Sequence, residues 1–458
     1  MKEKVDLISE PKKTFWHLSI PIIGFCIFNV FYGIVDMAWI SQINIHASFA
    51  VGVSIPFVSL IFAFGDSIGM GTNSIMSRFM GAGDYDSAYN ALIHGLIFST
   101  IVWVLIVIST IFAQGILYDV DQSESYLLVW DYLIPIITFA YLFIISNVFA
   151  ETFQAEGNSK IPTVLMITSN VLNIILDPIL IFTFNLGVKG ASYTTVLSGV
   201  IPFVTFLYLY LSGRTKVPLS KKYFKFRGYI IKEIFKVAIP NFLDSGLWAF
   251  SSSFINGILI VTMGEIGPIL YSVSNKLRTL LSAPTKGYGS ALMSVTGHLF
   301  GAHKFKKLYE MYRYTLKVSV ITTVVVMILF IILREQAYNF FSISGRATEI
   351  NYIVIFGIFI MLSISIATIS SKMLDGFGKS MYSLVFTAIK ISIQLGLIIL
   401  LYNLLSHGIC VLIGITLSEV IFAFVYYFFL KYLFMNFDNK YKNKDVVKTF
   451  NMDNINEI

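Results

Sequence analysis

Long apolar stretches alternate with short polar breaks along nearly the whole chain. A helix needs about 20 mostly apolar residues to cross a bilayer. Uninterrupted apolar runs of that length favour membrane-spanning helices over strands or amphipathic soluble helices. The pattern predicts twelve spans, at residues 15–40, 50–77, 88–112, 127–150, 161–183, 189–212, 231–262, 266–297, 307–333, 347–371, 380–403 and 408–432.

The composition excludes an ordinary soluble protein. Of the 458 residues, 56% are hydrophobic and only 13% are charged, and the mean hydropathy is +0.76. Soluble domains carry about twice that charged fraction. Cys26 and Cys410 lie in apolar stretches, and the six histidines show no metal-ligand spacing, so neither a disulfide framework nor a zinc site is expected. The fold class is therefore all-α and polytopic, in contact with the lipid bilayer.

Basic residues are distributed unevenly between the predicted loops. If the N-terminus is cytoplasmic, 24 of the 33 lysines and arginines fall in cytoplasmic segments and three in external loops. Basic loops are retained in the cytoplasm, so both termini are expected there, in a prokaryotic plasma membrane. The net charge of +7 is then a topology signal, and no nucleic-acid partner is expected.

The two halves of the chain share three short motifs at a constant offset of 219 or 220 residues. The pairs are Ser19-Ile20-Pro21 with Ala238-Ile239-Pro240, Phe79-Met80-Gly81-Ala82 with Leu299-Phe300-Gly301-Ala302, and Glu156-Gly157 with Asp375-Gly376. This offset indicates duplication of a six-helix unit. Because six is even, the two units have the same orientation and form a parallel repeat around a central cleft.

The repeat predicts five parts of the chain. They are a cytoplasmic N-terminal segment (1–14), an N-lobe of helices 1–6 (15–212), a basic cytoplasmic linker (213–230), a C-lobe of helices 7–12 (231–432) and a cytoplasmic tail (433–458). The polar linker and tail are expected to be solvated.

Acidic residues inside the spans are candidates for function, because a carboxylate in hydrocarbon is costly unless it is paired or neutralised. Asp36 lies near the outer end of the first span and Asp177 in the fifth. Asn173 precedes Asp177 by four residues and so shares its helix face. Thr194 and Thr195 in the sixth span offer hydroxyl groups. Such oxygen donors suit a hard cation or a shared proton.

The C-terminal half lacks acids at the corresponding positions, since Asp36 maps onto Ile255 and Asp177 onto Gly396. Asp244 and Glu419 are the acids that could contribute in this half. Asp66, in the second span, is expected nearer an interface, in a solvated role.

No motif for ATP-driven transport or enzyme catalysis is complete. Gly378-Lys379-Ser380 resembles the end of a phosphate-binding loop, but Met373 stands where that loop requires glycine. We therefore expect neither an enzyme, a nucleotide partner nor a cofactor other than a coupling ion.

Three passages resemble the multidrug and toxic compound extrusion (MATE) family, and the resemblance spans residues from about 15 to 432. They are Asn29 to Asp36, Gly69 to Asp84, and Gln154 through Asp177-Pro178 to Ala191. The family implies two six-helix lobes around a cleft that opens alternately to each side. It also implies export of organic cations, by a monomer, in exchange for Na⁺ or H⁺.

Within that family, the resemblance is to the DinF-like branch, which implies individual site residues. The branch implies a site for the coupling cation, H⁺ or Na⁺, at the positions of Asp36, Asn173, Asp177 and Thr195. The branch that uses a glutamate in the seventh span matches poorly, because Trp248 follows Pro240 by two turns and Asp244 lies one turn too early.

Two alternatives stay open at this point. A flippase for a lipid-linked oligosaccharide would need a basic cleft, and Lys276, Arg278 and Lys286 in the eighth span could supply one. An intramembrane enzyme or a receptor would need a water-accessible catalytic pair or a binding surface instead.

Overall fold

A computed structural model describes residues 7–117, 124–217, 219, 224–264, 266–341, 347–405 and 408–442. Within these ranges it contains fourteen α-helices, one π-helical turn and no strand. Residues 1–6 of the predicted N-terminal segment, residues 218 and 220–223 of the predicted linker and residues 443–458 of the predicted tail lie outside the described residues.

The first half of the chain contains seven α-helices and the π-helical turn. These are α1 (Pro11–Ser41), α2 (Ile45–Gly81), α3 (Tyr85–Leu117), α4 (Glu124–Thr138), α5 (Ala140–Ala155), α6 (Lys160–Pro178), the π-helical turn (Ile179–Thr183) and α7 (Gly187–Leu211). Polar side chains begin several of them: Asn44 Oδ1 accepts the Ala47 N–H at 2.6 Å, and Asp84 Oδ1 accepts the Ser87 N–H at 2.9 Å. These caps satisfy amide groups that a helix start leaves without partners.

The second half also contains seven helices. These are α8 (Gly228–Met263), α9 (Ile266–Leu281), α10 (Ala283–Gly301), α11 (Phe305–Phe340), α12 (Ala347–Gly376), α13 (Ser380–Leu405) and α14 (Ile409–Lys442).

Each of the twelve predicted spans coincides with one helix or with a broken pair. Ten described helices are long and apolar enough to cross a membrane, and α4 with α5, bent by 49°, would make an eleventh. The remaining predicted span, 266–297, is divided between α9 and α10. Its two pieces have 16 and 19 residues and together carry Lys276, Arg278 and Lys286, and neither is among the ten.

The helices pack as two halves, α1–α7 and α8–α14. In the first half α2 packs on α3, α4 and α5, while α6 packs on α1 and α7. In the second half α12 packs on α10, α11 and α14, while α13 packs on α8 and α14. These halves correspond to the predicted lobes, whose residue boundaries stay predictions.

The halves contact each other through α1 with α10, and through α2 with α8 and α10. Phe64 of α2 stacks on Phe242 of α8 with ring centroids 4.1 Å apart. Arg78, near the end of α2, pairs with Glu233 of α8 at 3.0 Å. The contacts of α2 with α8 and α10 around Arg78 lie at the end of the bundle that carries the loop after α2 and the start of α8. We call this group of contacts the seal.

Candidate functional site

The N-half site lies where α1, α6 and α7 meet. Asp36 on α1 is half-buried, while Asn173 and Asp177 on α6 are buried. The carboxyl groups of Asp36 and Asp177 are electrostatic neighbours. An ionised carboxylate only accepts hydrogen bonds, so a hydrogen bond between the two groups would require one proton held between them. The structure thus brings together two predicted site residues that are 141 positions apart in the sequence.

Helix α7 supplies the hydroxyl groups. The Thr194 hydroxyl donates to Asp177 Oδ1. The Asn173 amide fits its neighbours with its nitrogen toward Asp177 Oδ2, at 3.1 Å, and its oxygen accepts the Thr195 N–H at 3.2 Å. Thr195 therefore meets the site through Asn173, while Thr194 is the threonine that contacts an acid.

Two tyrosines that the sequence analysis did not select lie beside the acids. Tyr32 is one turn before Asp36 on α1, and its hydroxyl accepts from the Asn173 amide at 3.3 Å. Tyr132 of α4 is 7% exposed and is an electrostatic neighbour of both Asp36 and Asp177. The i, i+4 spacing could have identified Tyr32, whereas no local signal marks Tyr132.

The way α6 ends determines where Asp177 lies relative to α7. Pro178 ends this helix, and the chain continues as a π-helical turn over Ile179–Thr183. Gly190 of α7 packs against this turn so closely that a Cβ there would lie 2.8 Å from the Leu180 carbonyl carbon. This close approach brings the Thr194 hydroxyl to Asp177, one helical turn farther along α7.

The arrangement offers mainly oxygen atoms. Two carboxyl groups, a threonine hydroxyl and a tyrosine hydroxyl suit a proton or a hard monovalent cation, whereas the Asn173 amide nitrogen faces Asp177 and Tyr32. Within the described ranges, no group of three or more His, Cys, Asp or Glu residues could hold a metal ion. A cation at this site would therefore rely on neutral oxygens beside the two acids.

The C-half candidates surround a lysine that the sequence analysis did not select. Lys390 of α13 lies 2.8 Å from Glu419 Oε1, and both side chains are buried. The Lys390 ammonium also lies over the Trp248 ring, 4.0 Å from its centroid. Asp244 lies beside Thr387 and Lys390, and its buried Oδ1 has no hydrogen-bond partner among the described residues. Asp244 and Glu419 therefore form a cluster separate from the N-half site.

A third polar group lies between the halves. Asp66 is exposed midway along α2, beside Glu151 and Lys372. Helix α2 spans Ile45–Gly81, so Asp66 lies near the helix centre, and its exposed side chain agrees with a solvated role. Its position near a membrane interface stays a prediction. Lys372 pairs with Asp375 at 2.9 Å, and Glu151 accepts from Asn73 at 2.8 Å.

The basic residues of the eighth predicted span do not converge. Lys276 and Lys286 are exposed and Arg278 is half-buried. None of the three forms an ion pair with a described carboxylate, and Lys286 lies beside Cys26 at the contact of α1 with α10.

A family model named MatE matches residues 21–179 and 247–400. The chain is similar to the multidrug export protein MepA of Staphylococcus haemolyticus, with 26% identity over 381 residues, which are 80% of this chain and 79% of that protein. With MepA of Staphylococcus aureus it shares 28% identity over 302 residues, which are 64% of this chain and 65% of that protein.

The fold is similar to a solved structure described as the outward-facing conformation of a multidrug resistance MATE family transporter of the MOP superfamily. The TM-score is 0.91 at 26% sequence identity, and the match covers 96% of this chain and 99% of that chain.

Proposed function

The chain belongs to the MatE family, and from this premise we propose that it exports organic cations across a bacterial plasma membrane in exchange for H⁺ or Na⁺. It is a multi-pass membrane transporter and not an enzyme. The single observation that carries the exchange mechanism is the neighbouring pair of acids Asp36 and Asp177, placed among neutral oxygen donors inside an apolar helix bundle.

The acid pair gives a physical reason for exchange. Two neighbouring carboxylates repel each other when both are ionised, and a proton or a sodium ion relieves that repulsion. An ion drives a conformational change only if it binds one state more tightly than the other. The site joins α1, α6 and α7, so a change in its occupancy acts on the relative positions of these three helices. The positions of Asp36, Asn173, Asp177 and Thr195 support assignment to the DinF-like branch.

We assign the structure to the outward-facing state. The described contacts between the halves include the Arg78–Glu233 ion pair near the end of α2. With both termini cytoplasmic, as the basic residues predict, that end faces the cytoplasm. The similarity to an outward-facing transporter supports this assignment, and we propose that the chain works as a monomer.

Drug export is favoured over lipid flipping by two observations. The relatives found by comparison are multidrug export proteins. The flippase interpretation depended on Lys276, Arg278 and Lys286, which are divided between α9 and α10. Of the three, Lys286 lies at the contact of α1 with α10, and none forms an ion pair with a described carboxylate, so a convergent basic site is not supported.

The proposal is tested by efflux of a fluorescent lipophilic cation from proteoliposomes, under separately imposed proton and sodium gradients. Asp36→Asn and Asp177→Asn should each lower gradient-driven efflux at least about tenfold, since removing one member of a buried cluster costs about 1–3 kcal/mol or more. Asp86→Asn, at an exposed position at the start of α3, should transport like the wild type. Wild-type efflux by both site variants would refute the proposal.

A further inference from the structure

A buried ammonium group occupies the C-half of the protein. Lys390 is 5% exposed and Glu419 is 1% exposed, and their charged atoms lie 2.8 Å apart. The face of Trp248 covers the same ammonium at 4.0 Å from its ring centroid. A carboxylate and an aromatic face are the two surroundings that stabilise a desolvated cation.

The neighbouring polar groups hold this cluster in place. One turn after Lys390 on α13, Gln394 donates to the Ser251 hydroxyl at 3.0 Å and accepts from the Ser418 hydroxyl at 3.3 Å. These bonds join α8, α13 and α14 around the ammonium. Asp244 of α8 is an electrostatic neighbour of Lys390 as well.

The helices that build the cluster are the repeat equivalents of those that build the N-half site. Helices α1, α6 and α7 are the first, fifth and sixth spans of their half, and α8, α13 and α14 are the first, fifth and sixth of theirs. The acids, however, do not superimpose in sequence, because Ile255 and Gly396 stand at the offset of 219 residues from Asp36 and Asp177. Each half thus places two carboxyl groups among the same three helices, but only the C-half adds a lysine.

We propose that the Lys390 ammonium is a tethered cation that fills the C-half counterpart of the ion site, so that this half binds no soluble coupling cation. The inference rests on the proposed function, because it assigns cation binding to the N-half acids alone. Its chemical content is independent of transport. Without the lysine, the buried Glu419 loses its ammonium partner, and Asp244 keeps its electrostatic interaction with Lys372 of α12. A small soluble cation should then bind where the ammonium was.

The test uses thermal unfolding of purified protein in detergent, in an Asp36→Asn/Asp177→Asn background that removes the N-half acids. Ionic strength is held constant with N-methyl-D-glucamine chloride, and sodium chloride or methylammonium chloride is titrated in. With Lys390 present, Tm should not respond to either cation. With Lys390→Ala, Tm should rise saturably with both, because a ligand that binds only the folded state stabilises it.

Two variants show where the cation binds. Adding Glu419→Gln to Lys390→Ala should abolish the rise in Tm, because the replaced carboxylate is the main partner of the ammonium. Lys317→Ala, at an exposed position on α11, is the matched control and should not create a cation response. If Lys390→Ala does not fold, Lys390→Met keeps the side-chain methylenes against Trp248 and should give the same response to sodium.

Two outcomes would overturn the inference. In one, Tm in the lysine-free variants stays independent of both cations, or responds equally after Glu419→Gln. In the other, the background that retains Lys390 already binds sodium, which would mean that the C-half takes a soluble ion. Neither readout depends on transport, so failure of the N-half proposal in the efflux assay would remain distinguishable from failure here.

Discussion

At the scale of single residues, Thr194 makes the most direct neutral contact with the acid pair. Its hydroxyl donates to Asp177, whereas Thr195 reaches the site through its backbone N–H to Asn173. Thr194→Val keeps the side-chain shape and removes the donor, leaving a buried carboxyl oxygen unpaired at a cost of about 1–3 kcal/mol. Thr195→Val keeps the N–H, so its effect should be smaller.

We therefore expect Thr194→Val to change the ion concentration for half-maximal efflux by about tenfold, since 1.4 kcal/mol is a factor of ten. Thr195→Val should change it less. The measurement is efflux from proteoliposomes as a function of the coupling ion. An equal or larger effect of Thr195→Val would show that the hydroxyl contact to Asp177 does not contribute to ion binding.

A second residue-scale prediction concerns Glu156, in the loop after α5. Burial raises the pKa of this carboxyl to about 7, although the backbone N–H groups of Lys216 and Val217 donate to it. A folded-state pKa above the unfolded value of 4.5 means that its contribution to stability is fully present below pH 4.5. The contribution is lost as the pH rises to about 7.

Stability should therefore fall as the pH rises from 4.5 to about 7, by up to about 1.4 kcal/mol per pH unit from this group. Glu156→Gln cannot ionise and should flatten that part of the dependence. Thermal unfolding at several pH values measures the effect, with the exposed Glu10→Gln as control. The account of Glu156 fails if the variant and the wild type show the same slope.

Neighbouring residues of the N-half site could be predicted from the sequence only where they lie close together along one helix. Asn173 and Asp177 share a helix face, and Tyr32 and Asp36 do as well, because each pair is four residues apart. The contact between Thr194 and Asp177 depends on the π-helical turn after Pro178, which no local pattern predicts. Lys390 and Glu419 lie 29 positions apart on two helices, so their ion pair emerges only when α13 packs on α14.

At the scale of elements, the crossing of α2 and α10 forms the seal between the halves. A Cβ on Gly301 would overlap the Arg78 carbonyl oxygen, and one on Gly81 would overlap the His298 carbonyl oxygen. Both pairs are related by the repeat offset of 220 residues, so the crossing is symmetric. Glycine is required here because the two backbones touch.

Gly301→Ala should disfavour the sealed state, since the added Cβ cannot be accommodated against backbone. The reporter is Ser294→Cys on α10, in a protein without Cys26 and Cys410; the Ser294 side chain is buried and faces Asn73 of α2. Labelling of this cysteine by a water-soluble maleimide should become faster in the Gly301→Ala protein. Gly246→Ala, where a Cβ would meet nothing within 4 Å, should not change the rate. If Gly301→Ala does not accelerate labelling, the crossing of α2 and α10 does not form the seal between the halves.

Most elements could be predicted because a span is defined by continuous apolarity, which is a local property of the sequence. The breaks were not predicted. Continuous apolarity does not mark them: the bend between α4 and α5 falls at Phe139, four residues after Pro135, inside an apolar run. The division between α9 and α10 does carry a local signal, because Ser282 precedes Pro284 and proline favours the first turn of a helix. The predicted span 266–297 ran through this signal because it was defined by apolarity alone.

At the scale of the whole molecule, the first helix of each half inserts its beginning into the other half. Phe15 and Leu18 of α1 are buried with residues of α10, α11 and α12. Ile230 and Ile234 of α8 are buried with residues of α2, α3 and α5. The motif repeat predicted two related halves. It did not predict that α1 and α8 each pack into the opposite half, because these contacts join residues that are far apart in the sequence.

Because α1 and α8 each begin in the opposite half, they are the helices through which an ion site could move one half against the other. Helix α1 carries Asp36 toward its outer end and packs into the opposite half at its beginning. Pro21 lies between these two regions and removes a backbone donor, so bending is least costly there. Ion binding at Asp36 and Asp177 is thereby connected to the position of α1 between the halves.

The central claim is that occupancy of the Asp36–Asp177 pair sets the arrangement of the halves, and one distance tests it most directly. Spin labels at Ser41 and Met263 mark the ends of α1 and α8, and pulsed electron paramagnetic resonance reports the separation. In the wild type and in Asp86→Asn, acidification or added sodium should change the distance distribution. In Asp36→Asn the response should vanish, because the neutral amide cannot titrate or supply a charge to the cation. A full wild-type response in Asp36→Asn would contradict the account.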